Sequence, residues 1–206
     1  MRSTLTIATW LATAAAASAS QNMSVAVCNL SQVPVNMIKR AEAEASYVFR
    51  TVDIEIRWMD CGAEVGAQDT RSRPDFIVRI QTGGHVAKAG PASLEAMGRA
   101  FMESSEYGYM VDTYVGAIND LTLRFPFAGS DQLLGYVITH ELGHLLIGPG
   151  HRQEGIMRAS WSKPELEALN HRNLKFTERE RCIIVEKLRA RKEPFAPASV
   201  AAPKSH

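Results

Sequence analysis

The sequence predicts a mixed α/β domain, and three observations carry that prediction. Runs with an apolar residue at every second position, Ile54, Ile56 and Trp58 and then Phe76, Val78 and Ile80, have the period of strands that bury one face. Between the first two strands, Ile38, Ala41, Ala45, Val48 and Phe49 recur at the three- and four-residue steps of a helix. Farther on, Leu133 to Ile147 is apolar almost all round, which marks a helix enclosed by the rest of the domain. With 206 residues, 46% hydrophobic and 22% charged, the chain can bury one sizeable core and is short for two. One domain over 20–193 is therefore expected.

In chain order, residues 1–19 carry the basic Arg2, an apolar run from Leu5 to Ala17 and the small-residue ending Ala17-Ser18-Ala19. That is the pattern of a cleavable signal peptide, and the run is too short and too interrupted by threonine to span a bilayer comfortably. The first strand is expected at Val25–Asn29. Pro34 then opens a helix, because its missing N–H is one that a first turn leaves unpaired anyway. In the second strand Ile54, Ile56 and Trp58 point inward and Glu55 and Arg57 outward, and a helix between two strands makes them a parallel pair with a right-handed crossover. Cys28 and Cys61 then fall near the same ends of neighbouring strands. Export implies an oxidising compartment, and a bridge between these two would be worth roughly 3 to 4 kcal/mol of loop entropy. Cys182, followed by Ile183 and Ile184, is expected to be a buried free thiol.

A polar connection, Gly62 to Arg73, leads to a third strand at Asp75–Thr82, and Gly83-Gly84-His85 turns out of it. His85 reads as a loop histidine, since it lacks a partner at metal-binding spacing. Two short strands are expected at Met97–Met102 and Tyr107–Asp112, around a turn at Glu103–Glu106. Thr113 to Phe127 is ambiguous: Tyr114, Ile118 and Leu121 fit a helix, which Pro126 and Gly129-Ser130 would end. Ser130 or Asp131 should cap the enclosed helix. After Trp161, Ser162-Lys163-Pro164 turns into a short helix at Glu165–Leu169, and His171 is a spare histidine. Thr177-Glu178-Arg179-Glu180 is a capping box that opens a last helix through about Arg191, with Cys182, Val185 and Leu188 packed inward. From Pro194 the chain is rich in alanine, proline and serine, the composition of a disordered tail over 194–206.

The enclosed helix carries His140-Glu141-Leu142-Gly143-His144. Residues four apart project from one helix face a turn apart, so His140 and His144 can grip one metal ion with Glu141 beside them. Two neutral imidazoles hold Zn²⁺, an open position keeps a water, and a nearby carboxylate takes that water's proton. Burying three ionisable groups in an apolar helix is costly unless something pairs them, and a cation would. Gly148 can end the helix in a left-handed conformation, Pro149 prevents its continuation, and His151 follows as a third imidazole. Gly155-Ile156-Met157 comes next.

These residues resemble the metzincin zinc peptidases, whose pattern is H-E-x-x-H-x-x-G-x-x-H with a methionine turn beneath the metal. The resemblance implies His140, His144 and His151 as zinc ligands, Glu141 as general base and Met157 as the methionine-turn residue. It is specific over His140 to Met157 and topological over the rest of Val25 to Trp161. The chain departs from the pattern in having Ile147 where the family has glycine, which makes His151 one residue late, and Ala159 where a tyrosine often stands. The implied fold is a metzincin-like zincin domain: a mixed, mostly parallel twisted sheet with an antiparallel edge strand, an active-site helix and a C-terminal helix. In that family the last short strand forms the antiparallel edge, and a peptide substrate pairs with it.

The charge count, 23 basic against 22 acidic, gives +1 and leaves zero once Arg2 is removed, so nothing points to nucleic acid or an anionic membrane as partner. The reading is a secreted or periplasmic zinc endopeptidase acting on peptides or proteins. Two rivals are weighed against it. One takes Glu165 or Glu167 as third ligand, the pattern of a gluzincin; the other is an exported, non-catalytic zinc-binding module, for which an intact Glu141 has no use.

Overall fold

The computed structural model describes residues 20–61, 73–83, 96–102 and 108–192. The signal peptide, nearly all of the polar connection, His85, the turn at Glu103–Glu106 and the tail fall outside these residues.

Strand β1 (Gln21–Asn29) begins four residues earlier than expected and runs into helix α1 (Val35–Arg50), with Pro34 at its N-cap. The buried positions of α1 are Ile38, Ala41, Glu42, Ala45, Val48 and Phe49, the stripe that the helical period marks. Strand β2 (Ile54–Asp60) returns parallel to β1 with Ile54 buried and Glu55 and Arg57 exposed. Strand β3 (Phe76–Gln81) pairs with β1 on its other side and buries Phe76, Val78 and Ile80 completely. Strands β4 (Gly98–Met102) and β5 (Gly108–Tyr114) complete a sheet of order β2-β1-β3-β5-β4. All pairings are parallel except that of β4 with β5.

The sheet is thus mostly parallel with one antiparallel edge strand. The edge is β4, the first of the two short strands, and not the last as expected, because β5 is inserted between β3 and β4. Tyr114 closes β5, and the ambiguous stretch after it is helix α2 (Val115–Arg124), which buries Ala117, Ile118 and Leu121.

Helix α3 (Ser130–Ile147) is buried at every residue from Leu133 to Leu146. It packs on α1, on β4 and β5, and on the C-terminal helix. Its N-cap is Gly129 and no side chain caps it, a correction to the expected Ser130 or Asp131; Asp131 sits inside the first turn and pairs with Arg40 of α1 instead. Helix α4 (Lys163–Asn170) starts two residues before the expected one, capped by Ser162 and Glu165 reciprocally. Helix α5 (Glu178–Lys192) opens on the Thr177/Glu180 capping box, and Arg191 reaches the carbonyls of Gly108 in β5 and Leu145 in α3.

Cys28 and Cys61 form a disulfide, with their Cα atoms 4.8 Å apart. Cys182 is exposed, against the expectation of a buried thiol. The inward face of α5 is Glu180, Ile184 and Leu188, four residues apart, and Cys182 lies two residues from this row, on the opposite side of the helix. Val185 is half-buried. No helix among the described residues is long and apolar enough to cross a membrane.

Candidate metal centre

Helical geometry places His140 and His144 on one face of α3, and their Nε2 atoms lie 3.1 Å apart. Which nitrogen carries the proton follows from what the other nitrogen touches. His140 Nδ1 lies 2.7 Å from the Ile156 carbonyl, and His144 Nδ1 3.4 Å from the Gly148 carbonyl. A carbonyl can only accept, so each Nδ1 is the donor and each Nε2 keeps its lone pair. Two lone pairs facing each other at this distance repel unless a cation lies between them. Two nitrogens on one tetrahedral Zn²⁺, at about 2.0 to 2.1 Å each, would be about 3.3 Å apart. The donor set fits the ion.

His151 joins them. One nitrogen from each of His140, His144 and His151 falls within 4.8 Å of the others. The His151 ring stacks at 5.4 Å on that of His140 and meets His144 edge-on at 4.9 Å. The extra residue before it is absorbed by two glycines at positive φ, Gly148 at 104° and Gly150 at 89°, conformations that a side chain strongly disfavours. Gly148 still donates to the His144 carbonyl at 2.9 Å, so the helix closes its last turn before the chain swings back.

Burial lowers the pKa of all three imidazoles. For His140, burial outweighs the opposing Ile156 carbonyl and, with the neighbouring His144 and His151, brings it down to about 4. His144 and His151 are also lowered, chiefly by burial. Neutral imidazole is the metal-binding form.

Glu141 is buried against the edge strand. A Cβ at Gly98 of β4 would sit 2.5 Å from Glu141 Cγ, so only a glycine there lets the carboxylate side chain approach. Burial pushes the Glu141 carboxyl up to about 8, opposed by a hydrogen bond from the Ala100 backbone. Met157 lies under the helix at the step between the two histidines: a Cβ on Gly143 would come within 2.5 Å of its sulfur. Met157 is 1% exposed. The loop that carries it is closed by Arg152 N–H donating to the Met157 carbonyl at 2.8 Å and by Ile156 N–H donating to the Lys175 carbonyl at 3.0 Å.

The three histidines and Glu141 open onto a cleft of about 330 Å³, walled by Met97 and the start of β4 on one side and by Arg158 to Trp161 on the other. The carboxylates weighed as third ligands are occupied elsewhere. Glu165 caps α4 through Ser162 and pairs with Arg158 at 2.5 Å, and Glu167 is exposed beside Lys163. His171 sits exposed at the C-terminus of α4. Three contributors escaped the sequence reading: the Ile156 carbonyl, Gly98 and Gly143. The two glycines carry a faint signal, since glycine inside a strand or helix marks close approach of a neighbour; a backbone carbonyl carries none.

No protein-family model matches the chain, and no curated protein matches it in sequence. Among solved structures it is similar to archaemetzincin from Methanopyrus kandleri, with a TM-score of 0.52 and 16% identity, over 82% of this chain and 96% of that one. The fold is a metzincin fold. A looser similarity is to myroilysin, with a TM-score of 0.35 and 15% identity, over 78% of this chain and 71% of that one. Within the metzincin fold, β4 is the antiparallel edge strand beside the cleft, and α3 is the helix that bears the first two histidines.

Proposed function

We propose that the chain is an exported zinc-dependent endopeptidase. Residues 1–19 serve as its signal peptide and 20–193 as the catalytic domain. Delivery is to the periplasm or the outside of the cell, an oxidising setting in keeping with the Cys28–Cys61 bridge. The observation that carries the reading is the convergence of three imidazoles beside a buried carboxylate in a cleft bordered by β4, the edge strand of the described sheet.

His140, His144 and His151 would hold the ion, and Met157 supports the helix step beneath the first two. Bound Zn²⁺ supplies a Lewis acid that polarises a carbonyl and lowers the pKa of water to about 7. Among the described residues no strand pairs with the outer edge of β4, and an extended peptide would add there as a further strand with its scissile bond over the histidines. Glu141 takes a proton from the attacking water on its carboxylate and passes it to the leaving amine nitrogen.

The test is hydrolysis of an unstructured protein by the purified mature chain, together with its metal content. Chelation should abolish cleavage, and Glu141→Gln should keep the zinc while lowering turnover by about 10² to 10⁴. Cleavage that survives chelation, or zinc lost from the Glu141→Gln protein, would overturn the assignment.

A further inference from the structure

Trp161 is 5% exposed, lies against the site and has no part in the mechanism above. Its indole N–H donates to the Ile156 carbonyl at 3.3 Å. The same oxygen accepts from His140 Nδ1 at 2.7 Å. One carbonyl, with two lone pairs, therefore serves both rings. The indole also meets the His140 imidazole edge-on, ring centres 5.8 Å apart and planes at 85°.

We infer that Trp161 is a positioning residue for His140, acting through the shared Ile156 carbonyl. An indole N–H can only donate, so the bond has one possible direction and fixes where the carbonyl's second lone pair points. The first is thereby left aimed at His140 Nδ1, which holds the imidazole in the tautomer that presents Nε2 to the other two histidines. Without the indole N–H, a buried carbonyl keeps an unpaired lone pair, and the 156–161 turn can rotate to seek another donor. His140 would lose the partner that sets its ring plane. His144 would be untouched, because its Nδ1 depends on Gly148 at the other end of the loop. The indole also lines the cleft beside His140.

The inference rests on the zinc reading, and its test separates the two. Zinc affinity of the full mature chain is measured by chelator competition, and the imidazole Nδ1–H resonances by NMR, in wild type and Trp161→Phe, which keeps one aromatic ring and removes the donor. Partners of metal-binding histidines typically contribute 10- to 100-fold in affinity. Trp161→Phe should therefore bind zinc roughly tenfold or more weakly and move the His140 Nδ1–H resonance while leaving that of His144 in place. Affinity within about twofold of wild type, with both resonances unmoved, overturns the role of Trp161 and leaves the zinc site standing; a wild-type chain that binds no zinc removes the reading itself. Should Trp161→Phe fail to fold, wild type suffices: zinc should shift the Trp161 indole N–H signal and not that of Trp58, which donates to Ser46 Oγ at 2.8 Å. Equal shifts of the two indoles, or none, would sink the proposal.

Discussion

His140, Glu141 and His144 stand on a helix buried from Leu133 to Leu146, whereas His151 and Met157 stand on a loop from Gly148 to Trp161 that leaves His151 exposed. The helix half is positioned by its own period and by enclosure between α1, α5 and the sheet. Its two Nε2 atoms are already at 3.1 Å. The loop half is positioned by a backbone bond within it, from Arg152 to Met157, and one that leaves it, from Ile156 to Lys175, and its imidazole lies farther from its partners, within 4.8 Å. Local geometry builds a pair of imidazoles, and tertiary contacts bring a third to it.

The sharpest way to break this comparison is to remove one imidazole from each half. His144→Ala should weaken zinc by more than about a hundredfold, beyond what the partners of a ligand contribute. His151→Ala should weaken it less, though still by roughly tenfold or more, and His171→Ala not at all. Chelator competition on the three proteins decides it, and equal losses at His144 and His151 would erase the distinction between the halves.

A pH experiment isolates the buried carboxylate of the helix half. Burial raises Glu141 from 4.5 to about 8, so with metal chelated the folded protein keeps a proton that the unfolded chain gives up. Stability from this group is fully present below about 4.5 and is lost as pH rises toward 8, by at most about 1.4 kcal/mol per unit. His140 has the opposite sign: lowered to about 4 from 6.5, it favours folding above 6.5, and that contribution is lost as pH falls toward 4. Glu141→Gln removes the first effect and keeps the second. The variant should therefore gain stability relative to wild type as pH rises from 4.5 to 8. A difference in urea midpoints that does not change with pH would refute the buried-carboxyl picture.

The smallest effects come from two glycines, one in each half. Gly148→Ala meets no neighbour within 4 Å, so its cost is backbone strain at φ 104°, about 1 to 3 kcal/mol. Gly143→Ala is the reverse case: the backbone favours alanine by about 1 kcal/mol, while the new Cβ overlaps the Met157 sulfur at a cost of about 1 to 3 kcal/mol. A net loss near 1 kcal/mol is expected from thermal unfolding. A stabilised Gly143→Ala protein would show that Met157 moves aside freely and does not brace the helix.

Much of the molecule follows from the residues alone, wherever a local period or a local chemical need does the work. The stripe Ile38, Ala41, Ala45, Val48 and Phe49 makes α1, alternation makes β2 and β3, and the four-residue step from His140 to His144 makes the imidazole pair. These depend on neighbours a few positions away. What needed the tertiary structure is what distant chain segments settle among themselves. The insertion of β5 between β3 and β4 is a choice of hydrogen-bonding partner that alternation cannot express. The exposure of Cys182 turns on which face of α5 meets the core, and the flanking isoleucines misdirected that reading because only Ile184 lies in the buried row. The reach of His151 despite its extra residue and the seating of Glu141 against Gly98 depend on how segments distant in sequence fold against each other, and the Ile156 carbonyl shared by His140 and Trp161 is a backbone atom that every residue possesses. A sequence names side chains but not which distant segments meet, so only the folded chain could place these contacts.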